Sequence, residues 1–540
     1  MPYKKWTLLQ YGGNNKQWTV LQHNGPMFPD EYKQHNTPVI INNHKIILEP
    51  LAEEYATMYA KFINTDYIKN PLFNKNFWKE FKPELGDVGK NISLEDIDFS
   101  LIKDYLDKNK EIKASLSNDE KNNLKLKQQE LDEPYQNCII DGAQQKIGNY
   151  KIEPPGIFLG RGTHPKLGMI KKRVYPEDIT LNLSKDAPIP EPNIKGHKWG
   201  KIIHDTNVIW LATWKDTITN KNKYIFTSLD SFFKSKSDQD KFDLAKELKT
   251  KASHIRNNYT EQLQSTDMKT RQLATALYLI DHLALRVGTS KDTKKSADTV
   301  GVTSLRVEHV TLSENSNMKL DFLGKDSVRF CKKIVVPENV YKNLSDFIKD
   351  KKNKDDLFDL INAGMLNDYL DSFMKGLTAK VWRTYNASLL FQKEIDKIKS
   401  EHIKHISGNE RLNYLISMFN QANTSVALLC NHQKNVNTNA DTMISKINIK
   451  LDELKKKKTK VNKKDKLVII NNKIALLKLK KDTKLKMKNV SLGTSKNNYI
   501  DPRIIFSFIK RFDIPPEKLF TSQLIKRFEW ANKVSDDYSF

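Results

Sequence analysis

The sequence predicts an α+β protein of several domains, in which a half that mixes strands and helices precedes a mainly helical half. The chain has 540 residues, enough for roughly three or four domains of about 150 residues each. Short strand-like runs alternate with helical patterns up to about residue 228, and apolar residues recur at helical spacing from about residue 229. A Lys-rich segment then precedes a small C-terminal piece. The chain can therefore form more than one hydrophobic core.

Composition restricts the classes of function. The 90 Lys and Arg residues outnumber the 65 Asp and Glu residues, which gives a formal net charge of +25. A surplus of this size attracts polyanions, of which nucleic acid is the commonest. Cys138, Cys331 and Cys430 are odd in number and far apart, which favours neither a disulfide framework nor a cysteine zinc site. We therefore expect a reducing compartment and a nucleic-acid partner.

Several other classes lack their sequence signals. No stretch approaches the roughly 18 to 20 apolar residues of a membrane span, and residues 1–12 resemble neither a signal peptide nor an Arg-rich transit peptide. The Gly-Lys pairs continue with Asn91, Ile202 and Asp326, whereas a Walker A loop needs Ser or Thr there. Clustered carboxylates of the kind that hold two metals are also missing. We expect a soluble intracellular protein with no metal, no cofactor and no membrane partner.

The first half contains two features that predict local structure. Residues 201–205 and 208–213 are strand-like runs that flank Thr206 and Asn207, which predicts a hairpin. Residues 93–133 are charged and have little apolar face. This pattern predicts helices that project from the body of the protein.

The helical half begins with an amphipathic helix followed by strands. Apolar residues at helical spacing occupy one face of this helix: Leu273, Leu277, Ile280, Ala284 and Val287. Gly288 is the predicted end, which places Arg286 in the last turn, where the helix dipole favours a cation. Strands are predicted at residues 305–310, 319–323 and 328–336, and Lys325 would stand at the tip of the turn between the last two.

Two further helices carry candidate residues. A helix that begins after Thr378, a good N-cap, places Arg383 in its first turns, where free backbone amides favour an anion. Another helix follows the apolar pattern of residues 412–429 and ends before His432. The polar residues 435–439 predict a domain boundary.

Residues 441–490 have a composition of their own. They contain 17 Lys residues against five Asp and Glu residues, nearly half of the surplus charge of the chain. Apolar residues at heptad-like spacing lie on both sides of a polar centre at residues 461–466, which predicts an antiparallel helical hairpin. The composition fits equally a solvated Lys-rich linker, or a nuclear import signal at residues 455–466.

Tyr499 is a candidate nucleophile because of the residues that follow it. Asp501 is a good N-cap and Pro502 suits the first helical position, so a helix should begin there. The apolar residues after Arg503 favour a packed helix. Tyr499 would then lie in an ordered loop that remains open to a substrate. The ordinary alternative is a half-buried packing residue.

Four cationic side chains could serve phosphoryl chemistry together with this tyrosine: Arg286, Lys325, Arg383 and His432. Each also has an ordinary explanation, namely a surface arginine at a helix end, a soluble turn lysine, a charge on a solvated face and a capping histidine. None of these residues is specific alone.

Together, the segments around these residues resemble the motifs of eukaryotic type IB DNA topoisomerases, in the family order. The segments are LALRVG at 283–288, DFLGKDS at 321–327, TAKVWRTYNAS at 378–388, LCNHQ at 429–433 and SKNNYIDPR at 495–503. A further likeness covers YKIEPPGIF at 150–158 and the following residues to 166. The resemblance extends over nearly the whole chain.

The resemblance implies a role for each candidate. Tyr499 would attack the scissile phosphate and form a 3′-phosphotyrosyl link, which conserves the bond energy so that resealing needs no ATP. Arg286, Arg383 and His432 would hold the non-bridging oxygens, and Lys325 would protonate the leaving 5′-oxygen. The enzyme would nick one strand, allow rotation that relaxes supercoils of either sign, and religate the strand.

The resemblance also implies domains and partners. Residues 1–228 would form a DNA-binding cap and 229–437 the catalytic core of a clamp around duplex DNA. Residues 438–488 would form the linker and 489–540 the C-terminal domain. We expect a monomer on supercoiled double-stranded DNA, held mainly through phosphates. The expected location is the nucleus, with a cytoplasmic viral factory or another DNA-containing compartment as the alternative.

Further residues match DNA contacts of the family. Arg161, His164 and Lys171 match contacts of the cap, and Arg161, Asp326 and Asn498 match the camptothecin pocket. The resemblance therefore implies sensitivity to that drug.

The chain departs from the family pattern at three places, and two other readings remain. Leu159 stands where relatives usually carry arginine, Asn497 where leucine is usual, and residues 227–229 lack the usual Asn-Pro. A tyrosine site-specific recombinase is one alternative, but recombinases usually place His where this chain has Lys380. A DNA clamp without catalysis is the other, against which all five catalytic positions are filled.

Overall fold

The computed structural model describes residues 16–398, 408–433, 439–461 and 464–540. It divides into two compact units. The first unit consists of the described residues up to Lys234 together with the short segment Asp292–Asp298. The second unit comprises Ser235–Lys291 and Thr299–Phe540. Each unit contains its own hydrophobic core, so the predicted multidomain α+β class is confirmed. No helix among the described residues is long and apolar enough to cross a membrane.

Short strands and four α-helices form the described part of the first unit. The strands are β1 (Leu21–His23), β2 (Val39–Ile41), β3 (His44–Ile46), β4 (Ile97–Asp98), β5 (Asn137–Ile140), β6 (Ala143–Lys146), β7 (Gly156–Ile157), β8 (Ile170–Lys171), β9 (Thr180–Asn182), β10 (Lys201–Ile203), β11 (Ala212–Lys215) and β12 (Asn222–Ile225). The helices are α1 (Pro50–Ala60), α2 (Pro71–Phe81), α3 (Ser100–Ser115) and α4 (Asn118–Asp132).

The hairpin predicted at residues 201–213 is wrong. Strands β10 and β11 are not neighbours, because β9 lies between them in a sheet of order β10-β9-β11-β12. Strand β10 pairs with β9 in parallel, and β11 pairs with β9 antiparallel. The side chain of Asn182 on β9 bonds the backbone of both Asp205 and Trp210, so β9 separates the two segments that a hairpin would pair directly.

The charged helices predicted at residues 93–133 are confirmed. Helices α3 and α4 bury only Ile102 and Asp132 among all their residues. Ser117 begins α4 with a capping box, in which its hydroxyl and amide both bond Glu120. Local hydrogen bonds and solvation, rather than core packing, therefore stabilise α4.

The second unit is mainly helical. Its helices are α5 (Phe232–Gln262), α6 (Met268–Leu283), α7 (Glu338–Ile348), α8 (Ala363–Phe373), α9 (Ala379–Asp396), α10 (Gly408–Leu429), α11 (Asn439–Lys458), α12 (Lys464–Met487), α13 (Leu492–Asn498), α14 (Pro502–Phe512) and α15 (Ser522–Arg527). Its strands are β13 (Val310–Ser313), β14 (Asn317–Leu323) and β15 (Arg329–Val335).

These three strands form one antiparallel sheet. Strand β14 lies in the centre and pairs with β15 over its full length, from Asn317 opposite Val335 to Leu323 opposite Arg329. The strands predicted at 319–323 and 328–336 are confirmed. The one predicted at 305–310 is wrong, because that segment forms a 3-10 turn at Val307–His309 and only its last residue enters β13.

A buried carboxylate joins three helices of the second unit. Asp281 on α6 accepts two hydrogen bonds from Arg256 on α5, at 2.7 and 2.8 Å. It also accepts hydrogen bonds from Tyr259 at 2.9 Å and from the indole of Trp382 on α9 at 2.8 Å. Burial alone would raise the pKa of Asp281, but these hydrogen bonds outweigh it and lower the pKa. A charge satisfied in this way can orient α9 within the core.

Helices α11 and α12 form the predicted antiparallel hairpin. Asp441 near the start of α11 pairs with Lys488, just beyond the end of α12, at 2.7 Å. Ile447 and Leu451 are buried in the seam, and Thr483 is buried on α12. The boundary predicted at residues 435–439 lies largely outside the described residues, as do residues 462 and 463 of the polar centre.

Candidate active site

Arg286 lies in a loop and not in the helical turn that the sequence predicts. Helix α6 ends at Leu283, and Ala284 adopts the left-handed conformation with φ of 48°. The Arg286 carbonyl then accepts a hydrogen bond from the Val302 amide at 2.9 Å. The predicted end at Gly288 is therefore wrong, because pairing with a segment distant in the sequence replaces helical hydrogen bonds.

Two glycines allow that pairing. A Cβ atom on Gly288 would lie 2.6 Å from the Cα of Gly301, and one on Gly301 would lie 2.5 Å from the Cα of Gly288. A Cβ on Gly301 would also lie 2.7 Å from the carbonyl oxygen of Arg286. All these atoms belong to the backbone, so no side chain could move to make room. The absence of both Cβ atoms thus fixes the backbone of Arg286.

Lys325 stands where the sequence places it. It begins a short 3-10 turn, Lys325–Ser327, between β14 and β15. Asp326 has a φ of 67°, and the Gly324 amide closes the turn with a hydrogen bond to the Val328 carbonyl at 2.8 Å. Lys325 is exposed, so its ammonium can reach an incoming ligand.

Arg383 lies near the start of α9, as predicted. The Thr378 hydroxyl caps this helix and accepts a hydrogen bond from the Val381 amide at 3.4 Å. Arg383 is 3% exposed, and its Nη2 donates to the Cys430 carbonyl at 3.2 Å. Its Nη1 donates to the Tyr499 hydroxyl at 3.3 Å, and its guanidinium carbon lies 4.7 Å from the Tyr499 ring centroid.

His432 follows a well-formed helix end. Helix α10 ends at Leu429, and Asn431 adopts the left-handed conformation with φ of 53°. The His432 amide donates to the Ala427 carbonyl at 2.8 Å, and the Asn431 amide donates to the Leu428 carbonyl at 3.2 Å. These two bonds form a Schellman motif. The predicted helix end before His432 is confirmed, and the motif sets the direction of the imidazole.

Tyr499 follows α13, a short helix that the sequence did not reveal. The Tyr499 amide donates to the Ser495 carbonyl at 2.9 Å. As predicted, Asp501 caps the next helix and accepts a hydrogen bond from the Arg503 amide at 2.9 Å. Tyr499 is 5% exposed, so it is less open than predicted. The reason is that Arg383 covers its ring.

A buried serine on α9 holds the Tyr499 turn. The Ser388 hydroxyl donates to the Tyr499 carbonyl at 3.1 Å and accepts from the Asp501 amide at 3.0 Å. Ser388 has no exposed surface. Its single hydroxyl thus satisfies both sides of the turn and fixes the tyrosine against the helix that carries Arg383.

The second unit brings the five predicted catalytic candidates together. Arg286 Nη1 donates to the Tyr499 hydroxyl at 3.2 Å, so two guanidinium groups meet the same oxygen. A cavity of about 120 Å³ is lined by Arg286, Lys325, Arg383 and His432, among others. Tyr499 lies next to this cavity, because its hydroxyl accepts hydrogen bonds from the two arginines that line it. The arrangement concentrates positive charge around one phenolic oxygen.

Two buried side-chain nitrogens in the site have no protein partner in the described part of the chain. They are the Arg383 Nε and the His432 Nε2. Burial, with Arg383 and Arg286 nearby, lowers the pKa of His432 to about 3, so its imidazole is neutral at pH 7. Leaving such groups unpaired costs free energy, which an anion with several acceptor oxygens would recover. The cavity is therefore suited to a phosphate group.

Comparisons with known proteins agree with this geometry. Three family models match in succession: the DNA-binding fragment of eukaryotic DNA topoisomerase I over residues 16–227, its catalytic core over 230–465, and a C-terminal topoisomerase domain over 471–540. The DNA topoisomerase 1 of Homo sapiens is 39% identical over 525 residues, which cover 91% of this chain and 68% of that protein. The chain belongs to the eukaryotic DNA topoisomerase I family. It is thus a DNA-binding isomerase, a type IB topoisomerase, and the resemblance seen in the motifs is confirmed.

Relatives from a nematode and a plant have a similar sequence identity. The DNA topoisomerase 1 of Caenorhabditis elegans is 39% identical over 531 residues, which cover 92% of this chain and 64% of the relative. The DNA topoisomerase 1 beta of Arabidopsis thaliana is 39% identical over 522 residues, which cover 91% of this chain and 56% of the relative.

Two further candidates of this topoisomerase lie in the second unit. Asp326 lines the cavity beside Lys325. Asn498 is the last residue of α13, and its side chain donates to the Thr494 carbonyl at 3.1 Å. The Asn498 carbonyl accepts a hydrogen bond from Lys241 at 3.0 Å. Asn498 is exposed, so its amide remains accessible beside Tyr499.

The other three DNA-binding candidates belong to the first unit. Arg161 is exposed. His164 is 8% exposed and packs edge-on against Phe158, with ring centroids 4.9 Å apart. Burial, followed by Lys166 and a second nearby lysine, lowers the pKa of His164. Lys171 pairs with Glu153, and burial lowers its pKa.

The structure shows what the residues that depart from the family pattern contact. Leu159 is partly buried and packs against the core of the first unit. The Asn497 carbonyl accepts a hydrogen bond from Arg527 at 3.3 Å, and its Oδ1 is buried without a partner among the described residues. Thr227 bonds the Ser231 hydroxyl at 2.9 Å.

Sequence reasoning missed two serines of the site, Ser388 and Ser495. Both lie inside the quoted motifs, but serine is a common residue and neither forms a recognisable pair with a neighbour. Their only signal is their position, one on the Arg383 helix and one a helical turn before Tyr499. Their contacts appear only after folding.

Proposed function

We propose that this topoisomerase uses Tyr499 to nick one strand of supercoiled duplex DNA, lets the broken strand rotate, and reseals it. The observation that carries the proposal is the contact of Arg286 and Arg383 with the Tyr499 hydroxyl, at 3.2 and 3.3 Å. The two guanidinium groups direct N–H donors at this oxygen and would hold it in place for attack on a phosphate.

In the proposed cleavage step, the Tyr499 oxygen attacks the scissile phosphorus and the bond to the 5′-oxygen breaks. The products are a 3′-phosphotyrosyl link and a free 5′-hydroxyl. The phosphodiester is exchanged and not hydrolysed, so religation is the reverse attack and requires no ATP. The chemistry uses the side chains of the chain and no metal ion.

The non-bridging oxygens would be held by Arg286, Arg383 and His432. The Arg383 Nε and His432 Nε2 are buried nitrogens that the described residues leave without a partner. In the pentacoordinate transition state these oxygens carry more negative charge than in the ground state. Fixed donors around them therefore stabilise the transition state selectively.

Lys325 would act as the general acid. The leaving 5′-oxygen departs opposite to the attacking tyrosine and needs a proton. Lys325 lines the cavity from a turn between two strands, whereas Tyr499 approaches from α13. An in-line displacement requires the acid on the side of the phosphorus opposite to the nucleophile, and we expect Lys325 to reach that side.

The remaining assignments complete the proposal. Residues 1–228 form the DNA-binding cap, 229–437 the catalytic core, 438–488 the linker and 489–540 the C-terminal domain. The enzyme acts as a monomer in the nucleus and binds DNA through Arg161, His164 and Lys171, among others.

A drug pocket is also proposed. Arg161, Asp326 and Asn498 would contact camptothecin in the cleaved complex. We expect the drug to increase the amount of covalent enzyme–DNA complex trapped by detergent, and unchanged amounts would contradict this assignment.

One experiment tests the central proposal. Supercoiled plasmid is incubated with the full chain in EDTA without ATP, beside Tyr499→Phe, which removes only the nucleophilic oxygen. Tyr385→Phe is a matched control, because Tyr385 is another buried tyrosine of the second unit. We expect relaxation by the parent and the control but not by Tyr499→Phe. Relaxation by Tyr499→Phe would refute the role of this residue, and recombinant joints would indicate a site-specific recombinase.

A further inference from the structure

Ser495 contacts both His432 and the turn that carries Tyr499. It has no exposed surface, and its Oγ lies 2.7 Å from the His432 Nδ1. Its carbonyl accepts hydrogen bonds from the amides of Tyr499, at 2.9 Å, and Ile500, at 3.1 Å. One residue of α13 is therefore tied to two groups of the active site.

The hydrogen bond between Ser495 and His432 can run in either direction. A serine hydroxyl can donate or accept, and a neutral imidazole has one N–H and one acceptor nitrogen. If Ser495 donates to Nδ1, the imidazole proton lies on Nε2. If Ser495 accepts, the proton lies on Nδ1 and Nε2 becomes an acceptor.

The surroundings of Nε2 decide between these arrangements. His432 lines the same cavity as Arg286 and Arg383, and its Nε2 is buried without a partner in the described part of the chain. A phosphodiester oxygen only accepts hydrogen bonds. An acceptor nitrogen would repel it, so a phosphate in the cavity requires an N–H at Nε2.

We infer that Ser495 is a positioning residue, which donates to Nδ1 and so holds the proton of His432 on the Nε2 that faces the cavity. The inference rests on the proposed role of His432 as a phosphate ligand. Its low pKa supports the neutral form, in which only one nitrogen can donate. Helix α13 would thus place the nucleophile and set the histidine tautomer in one docking event.

The tautomer can be measured without DNA. The full chain is labelled with ¹⁵N-histidine and its imidazole nitrogens are recorded by NMR at pH 7.5. The chain has 12 histidines, and His432 is identified as the signal lost in His432→Gln. We expect a pyridine-type Nδ1 and a pyrrole-type Nε2. A pyrrole-type Nδ1 in the parent would overturn the inference.

Substitution tests whether Ser495 sets this state. Ser495→Ala removes one oxygen atom, and we expect the Nδ1 signal to lose its hydrogen-bonded shift or to report a mixture of tautomers. Ser417→Ala is the matched control, because it removes another helix hydroxyl, which bonds the Asn413 carbonyl and not His432. Its His432 signals should match those of the parent. Unchanged signals in Ser495→Ala would count against the inference.

Kinetics separates positioning from a merely structural role. In single-turnover cleavage of a suicide DNA duplex, Ser495→Ala should be slower by about five- to tenfold, the effect of one neutral hydrogen bond. A glutamine amide can donate without tautomerism, so Ser495→Ala should cause no additional loss in a His432→Gln background. An equal loss in both backgrounds would show that Ser495 acts only on the fold and would refute the inference.

Two further variants protect this test. Ser495→Thr retains the hydroxyl and should recover both the rate and the parent NMR signals, provided that its thermal midpoint matches that of the parent. Ser417→Ala removes a helix hydroxyl that bonds the Asn413 carbonyl, so its rate should equal that of the parent. Failure of the proposed function appears separately, as cleavage by Tyr499→Phe or as no effect of His432→Gln on cleavage.

Discussion

Arg383 contacts Tyr499 both through the hydroxyl and through the face of the ring. Its Nη1 donates to the Tyr499 hydroxyl, its Nη2 donates to the Cys430 carbonyl, and its guanidinium plane lies over the phenol ring. A lysine would keep the charge but lose the rigid fork of donors and the stacking. The geometry of Arg383, and not its charge alone, should therefore determine its contribution.

We accordingly predict that Arg383→Lys is severely impaired. Single-turnover cleavage should fall by roughly 10²- to 10³-fold, the usual loss for a transition-state oxyanion donor. Arg411→Lys is the matched control, because Arg411 is also in the second unit but donates to the Phe512 carbonyl. A single-turnover cleavage rate for Arg383→Lys within about threefold of the parent rate would contradict the prediction.

His432 should make the fold sensitive to acid. Its pKa is lowered from the ordinary 6.5 to about 3, so between these values the unfolded chain binds a proton that the folded chain does not. Stability is therefore greatest above the unfolded pKa and falls as the pH decreases toward the folded pKa. Removing the titrating group should remove this part of the pH dependence.

The measurement is urea unfolding followed by tryptophan fluorescence between pH 7 and pH 4. The free energy of unfolding should fall less steeply for His432→Gln than for the parent. Equal slopes for His432→Gln and the parent would show that His432 does not titrate as its burial implies.

At the level of single residues, the sequence predicted the participants of the site better than their connections. Arg286, Lys325, Arg383, His432 and Tyr499 could be selected by residue type, motif and helix-end signals. The hydrogen bonds of Ser388 and Ser495 could not be predicted, because they join segments more than 60 residues apart. Periodicity describes one element at a time and contains no information on such contacts.

Among the elements, the β14–β15 hairpin has a specific chemical role in the proposed mechanism. The hairpin presents Lys325 in a turn in which the next residue, Asp326, has a positive φ. We predict that Lys325→Ala slows cleavage by about 10²- to 10⁴-fold, the typical contribution of a general acid. The slow step should be the departure of the 5′-oxygen.

A substrate with sulfur in place of that oxygen tests the assignment. A thiolate leaves without a proton, so Lys325→Ala and the parent should cleave this substrate at similar rates. Lys319→Ala removes another lysine of the same hairpin, which pairs with Asp321 at 3.2 Å, and should resemble the parent on both substrates. If sulfur fails to restore Lys325→Ala, the residue has another function.

Element prediction failed where tertiary pairing overruled local signals. Residues 201–213 have the pattern of a hairpin, but β9 pairs with both of its arms. Helix α6 has apolar spacing up to Val287, but Val287 pairs with Thr303 at 2.7 Å and the helix has already ended. In contrast, the caps at Thr378 and Asp501 are local, and the sequence predicted both.

For the whole molecule, charge is the dominant feature, and much of it lies in the α11–α12 hairpin. Residues 441–490 hold 17 Lys against five Asp and Glu residues. The two ends of the hairpin are close, because Asp441 pairs with Lys488 at 2.7 Å. A short Gly-Ser connection could therefore replace residues 441–486 without displacing the C-terminal segment.

We predict that this replacement leaves cleavage intact but alters DNA binding. Fewer released counterions should make the affinity for duplex DNA less dependent on salt, measured as the slope of log affinity against log salt concentration. Replacing Lys455, Lys456, Lys457 and Lys458 with Gln should change the slope in the same direction by a smaller amount. An unaltered slope would reduce the hairpin to a passive tether.

The overall organisation was predictable because composition and periodicity change along the chain. The surplus of charge, the mixed first half and the helical second half indicated an α+β nucleic-acid protein before any motif was considered. The packing inside each unit depends on contacts between residues distant in the sequence. In the second unit, for example, Asp281 contacts Arg256 and Trp382, and no local pattern specifies these contacts.

The contact between Gly288 and Gly301 has a consequence for mutational tolerance. Neither residue carries a functional group, yet any side chain at either position would collide with the backbone of the other, and one at position 301 would also collide with the carbonyl of Arg286. A saturation library selected for relaxation activity should therefore accept only glycine at both positions, as strictly as it accepts only tyrosine at position 499. In such a library, a position without a side chain would be indistinguishable from the proposed nucleophile.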